Sequence, residues 1–327
     1  MKKISLIIGI TVILLAVASI GLFWMDNENN SVTGQVTAKA LENVNIGYRE
    51  HLLYLPAYVA EAEGFFVEEG LDAKLIPFQS TNQLVEAVIN GNLDAGVGGV
   101  NVLIPMIIET KTPGLLKIFS QGMLSKDFDA LIVGIDSGIE NIQDLEGKTI
   151  SSFPGSTGVR WMNIMLEKEG LTGKVDIIQT NPSEQINVLA SGSADAVFVM
   201  EPLVSLAEAK GIGIVLVDSP IGNYFMEDML WETSVMSTKF IDDNPETAQK
   251  IINAVNKAID FINSNHDEAR EYYSEFTPAD DELESRLPVC KYFRSDKIDS
   301  DKVQELADKL YAEEFLSESV EVEGLLI

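Results

Sequence analysis

The chain has 327 residues, enough for two domains with separate cores, and its 46% hydrophobic and 23% charged content is that of a folded protein, not a disordered one. It carries 51 acidic against 23 basic residues, a net charge of −28, and a field of that sign argues against nucleic acid as a partner. The single cysteine, Cys290, excludes an internal disulfide and a cysteine-held metal cluster.

Lys2 and Lys3 precede an uncharged run over residues 4–25, followed by Asp26 and Glu28. About 20 apolar residues span a bilayer as a helix, and lysines before with acids after place the chain that follows outside the cytoplasm. The nearest A-x-A, Ala38-Lys39-Ala40, lies well beyond the run. The length therefore favours an uncleaved membrane anchor over residues 1–25 rather than a cleaved signal peptide. No cysteine stands just after the run, so a lipoprotein anchor is excluded. Residues 26–42, rich in Asn, Ser, Thr and Glu, are expected to be a tether.

From Val44 the chain alternates short β-like runs with helical patterns. "VNIGY" predicts a strand and "YLPAYVAEAEGFFVEEG" a helix closed by Gly70. "DAKLIPF" is a strand, "STNQLVEAVIN" a helix capped at Ser80 or Thr81, and "DAGVGG" a third strand. "VLIPMIIET" and "LLKIFSQ" follow as helix and strand. Strands alternating with helices of this length predict βαβ units and mainly parallel sheets.

The second half repeats the scheme. "DALIVG", "KTISSF", "VDIIQT", "ADAVFV" and "GIVLVD" read as strands, with "VRWMNIMLEKEG", "PSEQINVLAS" and "EPLVSLAEAKG" as helices between them. Residues 218–231 read as a loop and "ETSVMST" as a returning strand. After Asn244-Pro245 only long helices are expected, without further alternation. One phrase occurs twice: "NGNLDAGVGG" and "SGSADAVFVM" share G-x-x-D-A, at Gly91/Asp94/Ala95 and Gly192/Asp195/Ala196. Each copy follows a helical segment and opens the third strand of its set, which suggests two domains of similar build.

"LPAYVAEAEGFFVEEGLD" resembles P-x-x-x-A-x-x-x-G-F-F-x-x-E-G-L, at Pro56, Ala60, Gly64, Phe65, Phe66, Glu69, Gly70 and Leu71. That motif is similar to the nitrate/sulfonate/taurine substrate-binding proteins of ABC importers, a group that includes the thiamine-pyrimidine-precursor binders. "DLEGKTI", from Asp144, is similar to the D-L-x-G-K that opens the second domain in many such proteins. The resemblance implies an α/β, two-lobed periplasmic-binding-protein type II fold with a ligand cleft between its lobes. Lobe one would hold residues 43–126 plus 232–327, and lobe two residues 127–231. It also implies an extracytoplasmic, monomeric receptor that hands a small solute to an ABC permease and its ATPase, with no cofactor and no bound metal.

In such folds ligands sit at the carboxyl ends of strands and the first turns of the following helices. Arg49, His51 and Tyr54 follow the first strand, and Ser80 and Thr81 follow the second. Gly99 and Asn101 follow the third and would offer an N–H and an amide. In "SFPGSTGVRW", Ser156, Thr157 and Gly158 open a helix whose free N–H groups suit an anion, with Arg160 in its first turn. Plain capping by Ser156 or Thr157 would need no ligand. Glu201 would meet an amino or amidine group, or merely favour a helix start, and Trp161, Tyr224, Phe225 and Trp231 would wall the cleft or fill a core.

Two other classes compete. An enzyme on the same fold, of pyrimidine- or chorismate-processing type, would need chemistry that a chain with two histidines, His51 and His266, and no catalytic motif does not advertise. A ligand-sensing ectodomain would normally continue into a signalling module.

Overall fold

The computed structural model describes residues 40–277 and 281–327. The expected anchor and nearly all of the tether lie outside the described residues, among which no helix is long and apolar enough to cross a membrane. Eleven described strands form two sheets. They are β1 (Glu42–Tyr48), β2 (Leu71–Pro77), β3 (Ala95–Asn101), β4 (Leu116–Met123), β5 (Asp129–Gly134), β6 (Thr149–Ser152), β7 (Asp176–Gln179), β8 (Ala196–Met200), β9 (Gly213–Asp218), β10 (Leu230–Ser237) and β11 (Lys291–Phe293).

The first sheet has the order β11-β4-β10-β3-β1-β2 and the second β7-β6-β8-β5-β9. The chain thus leaves the first sheet after β4, builds the second from β5 to β9, and returns as β10. Both sheets are mixed. The β2-β1-β3 and β7-β6-β8 parts are parallel, whereas β10 runs antiparallel to β3 and β4, and β5 antiparallel to β8 and β9. One continuous apolar core includes Ile46, Phe119 and Val235 of the first sheet with Ile150 and Phe198 of the second. A smaller cluster, with Ile132, Val197 and Val199, lies under the helix Leu203–Ala209.

These antiparallel pairings replace the mainly parallel sheets expected from the sequence, and three further expectations need correction. The helix expected to run to Gly70 is a 3₁₀ turn, Leu52–Tyr54, and two helices, Leu55–Ala62 and Phe65–Glu68. Gly64 separates the helices at φ 74°, a left-handed conformation that ends an α-helix and that glycine adopts without a Cβ penalty. The expected loop 218–231 contains a short helix, Pro220–Tyr224, and already enters β10 at Leu230. The tail is not all helical either, because β11 adds an edge strand to β4, tied by the Asn263 side chain to both backbone groups of Tyr292.

The repeated phrase is a strand staple. Gly91 and Gly192 both end their helices in the left-handed region, at φ 73° and 68°. The Asp94 carboxylate accepts from Asn45 N–H of β1 at 2.7 Å, and Asp195 accepts from Thr149 N–H of β6 at 2.9 Å. Each aspartate's own N–H returns a bond to the same residue's carbonyl at 2.9 Å. Ile46 then pairs with Ala95, and Ile150 with Ala196. Two similar βαβ units are therefore locked in one register by one device, at the strand ends opposite those that carry Arg49 and Ser152.

Candidate functional site

The carboxyl ends of β1, β3, β4 and β6, and the entry of β10, are where polar side chains gather. After β1, the Tyr58 hydroxyl donates to the carbonyl of Arg49 and accepts from His51 N–H at 2.9 Å, which fixes the loop. The loop aims the Arg49 guanidinium at Thr81, with Nη1 to Oγ1 at 3.4 Å, and the Tyr54 hydroxyl meets the same Oγ1 at 3.4 Å. The buried Arg49 Nε has no protein partner. Thr81 opens the helix Thr81–Ile89, whose cap is the Ser80 hydroxyl accepting from Gln83 N–H at 3.3 Å. Arg49, Tyr54 and Thr81 are thus brought together, while Ser80 is occupied by its own helix.

His51 does not offer a charge. Its Nδ1 accepts from Leu53 N–H, and burial, reinforced by the Arg49 charge, lowers its pKa to about 4. Gly99 is needed for packing, because a Cβ there would stand 2.4 Å from the Tyr54 ring. Asn101 is engaged just before the next helix, its Oδ1 accepting from Leu103 N–H at 2.8 Å.

On the second sheet, the helix Ser156–Lys168 starts three residues earlier than its apolar pattern suggests, from Gly155 at φ 106°. No side chain caps it. Its first turn opens into a pocket of about 290 Å³ whose lining includes Ser156, Thr157, Arg160, Gln179, Phe315 and the acidic Glu314. A free helix start concentrates unpaired N–H groups and the positive end of the helix dipole. Gly158 faces inward, however: a Cβ would lie 2.4 Å from Ser152 Oγ and 2.9 Å from the Phe153 ring. Arg160 is already engaged, its Nε donating to Glu313 O at 2.7 Å and its Nη2 to Glu313 Oε2 at 3.2 Å.

Glu201 is closed off. It is 4% exposed, and its carboxylate accepts from Ser205 Oγ at 2.7 Å and Ser205 N–H at 3.0 Å, in the first turn of the helix Leu203–Ala209. Desolvation raises its pKa to about 7, partly offset by those two bonds. Trp231 is 5% exposed and packs at 5.0 Å from Trp161, joining the entry of β10 to the helix that follows β6. Phe315 meets Trp161 at 5.8 Å and Phe225 at 5.4 Å, so these aromatics form an apolar seam between the two sheets. Tyr224 instead donates to Glu169 at 2.6 Å.

Buried polar residues not anticipated from the sequence lie near these strand ends. Gln121 on β4, Ser151 and Ser152 on β6, and Glu232 on β10 are buried, and their polar side-chain atoms lack protein partners, as does Trp161 Nε1. Their signal was present as short polar runs, Ser120-Gln121, Ser151-Ser152 and Glu232-Thr233-Ser234, inside strands. Among the described residues no group of three or more His, Cys, Asp or Glu is arranged to hold a metal ion.

Similarity to known proteins follows the same outline. A putative aliphatic sulfonates-binding protein of Bacillus subtilis (strain 168) is 27% identical over 301 residues, covering 88% of this chain and 86% of the relative. A more distant relative, the 4-amino-5-hydroxymethyl-2-methylpyrimidine phosphate synthase of Candida albicans (strain WO-1), is 22% identical over 251 residues, 74% of this chain and 72% of that one. The crystal structure of the periplasmic aliphatic sulphonate binding protein SsuA from Escherichia coli superimposes with a TM-score of 0.70 at 16% identity, covering 88% of this chain and 92% of that one. That likeness fixes the fold as the periplasmic-binding-protein type. The family described as NMT1/THI5 like matches residues 53–269, more than half of the sequence, and the chain belongs to that family.

Proposed function

We propose that this protein is an extracytoplasmic receptor that closes two lobes on a small polar or anionic solute and delivers it to an ABC permease and its ATPase. The observation that carries the reading is a matched pair of donor sets on the two sheets. Arg49, Tyr54 and Thr81 stand after β1 and β2, and the uncapped start of the Ser156–Lys168 helix stands after β6. A solute touching both sets would favour the closed form by its differential affinity for it. The net charge of −28 does not defeat this, because salt screens exposed charge beyond about 8 Å while these donors act at contact. Residues 43–126 and 232–327 would be one lobe and residues 127–231 the other, with the crossings on either side of β5–β9 as hinge.

The B. subtilis relative's name supports binding, and alkanesulfonates head the ligand panel for that reason. The C. albicans relative is an enzyme, so the panel must also report turnover. The test is a thermal-shift screen against alkanesulfonates, taurine, nitrate, aminopyrimidines and aromatic carboxylates. A ligand at a hundred times its Kd adds about 2.7 kcal/mol and is visible as a rise in melting temperature. A stabilising compound recovered unchanged supports the receptor; one that is consumed supports the enzyme. A cooperative melt that no compound moves would overturn the reading.

A further inference from the structure

Glu232 follows Trp231 at the entry of β10, and it is the most anomalous side chain of the first sheet. It is 1% exposed, and neither carboxylate oxygen has a protein partner. Burying a carboxyl group without partners is among the more costly arrangements a core can hold. The β10 register sets it opposite Asn101 of β3 and Gly122 of β4, at the same strand ends that carry Arg49 and Thr81. Gly122 makes the place for it: a Cβ at that position would stand 2.6 Å from Glu232 Oε2 and 2.9 Å from the Tyr292 ring. Tyr54, whose ring covers Gly99 two residues before Asn101, lies within electrostatic reach of both Arg49 and Glu232.

The strand ends of the first sheet therefore hold a fixed cation with an unpartnered Nε and a carboxyl group with two unpartnered oxygens. A simple oxyanion satisfies the first and not the second. We infer that the solute carries an amino group as well as an anionic or acceptor end, the acceptor end meeting Arg49 and Thr81 and the amino group donating to Glu232. This rests on the receptor reading and narrows its ligand class to amino-substituted solutes, zwitterions and amino-heterocycles, as against nitrate or plain alkanesulfonates. A site built to accept a hydrogen bond rejects analogues that lack the donor, because its own polar group is then left buried and unpaired.

Calorimetry on the full chain with two matched pairs tests this: taurine against ethanesulfonate, and 4-aminopyrimidine against pyrimidine. The expected result is that the amino member of at least one pair binds about tenfold tighter or more, and that Glu232→Met, which removes the acceptor at similar volume, brings that ratio to within about threefold. Amine-free members binding as tightly as their partners would overturn the inference while leaving the receptor in place. An unchanged ratio in Glu232→Met would overturn it equally. If Glu232→Met does not fold, the ratio in the unaltered protein decides. Binding confined to amine-free compounds of the wider panel overturns the inference alone; silence across that panel overturns it together with the receptor reading.

Discussion

Two arginines that look equivalent in the sequence have different employment in the fold. Arg49 meets a hydroxyl at 3.4 Å and keeps a buried Nε without a protein partner, whereas Arg160 has a carbonyl and a carboxylate of Glu313 at 2.7 and 3.2 Å. Arg49→Ala is expected to weaken ligand binding about tenfold or more, the loss of one charged hydrogen bond. Arg160→Ala should change affinity by less than about threefold and cost at most about 1 kcal/mol of stability, as befits a partly exposed ion pair. Titration calorimetry on both variants checks this, and equal losses would mean that Arg160 leaves Glu313 to reach the ligand. His51 belongs to the same loop but should be silent. With its pKa lowered to about 4, it stays neutral from pH 6 to 8 and imposes no step on affinity there.

Elements were legible where their signal is local. The G-x-x-D-A phrase depends on one left-handed glycine and one carboxylate, both written in consecutive residues, and its two copies do the same work at Asn45 and Thr149. Asp94→Ala and Asp195→Ala should each cost about 1.5–3 kcal/mol, the worth of a hydrogen bond to a charged acceptor. Ligand affinity should hold, since both lie at the strand ends away from Arg49 and Ser152; denaturant melts with calorimetry on the same samples separate the two effects. What the sequence could not display depends on distant partners. β11 is three residues whose pairing is held by Asn263, and Gly158 reads as part of an anion-facing helix start until Ser152 is seen beneath it. Glu201 reads as an open carboxylate until Ser205 closes on it, and Glu232 gains its meaning only when β3 and β4 flank it. Capping, turns and periodicity made the fold legible; the proposed site is a tertiary product, and of the residues named from the sequence the fold brings Arg49, Tyr54 and Thr81 together.

At the scale of the whole molecule, two buried acids stand where the second sheet meets the crossings. Asp129, 2% exposed, begins β5 and accepts from Ile221 N–H at 2.9 Å, with Ser219 beside it and Asp218 adding repulsion. Glu201 follows β8 on the neighbouring strand, facing Ser205, with Glu208 and Asp127 adding repulsion. Burial raises both to about 7, from 3.8 and 4.5. A carboxyl group held above its unfolded value binds its proton more tightly when folded, so its stability contribution is complete below about pH 4 and shrinks as pH rises towards 7. The slope is about 1.4 kcal/mol per pH unit for each group while it lasts, and the curve flattens above pH 7. Replacing Asp129 with Asn removes one proton from this linkage and keeps an oxygen for Ile221 N–H. The melting temperature of Asp129→Asn relative to the unaltered protein should therefore be higher at pH 8 than at pH 5, and the difference should change mainly between those values. Because the comparison is between two proteins at each pH, the general relief of a −28 charge by acid cancels from it. A difference that stays constant from pH 5 to 8 would mean that Asp129 is ionised in the folded state, and that the crossing is held by a charged carboxylate, not a neutral acid.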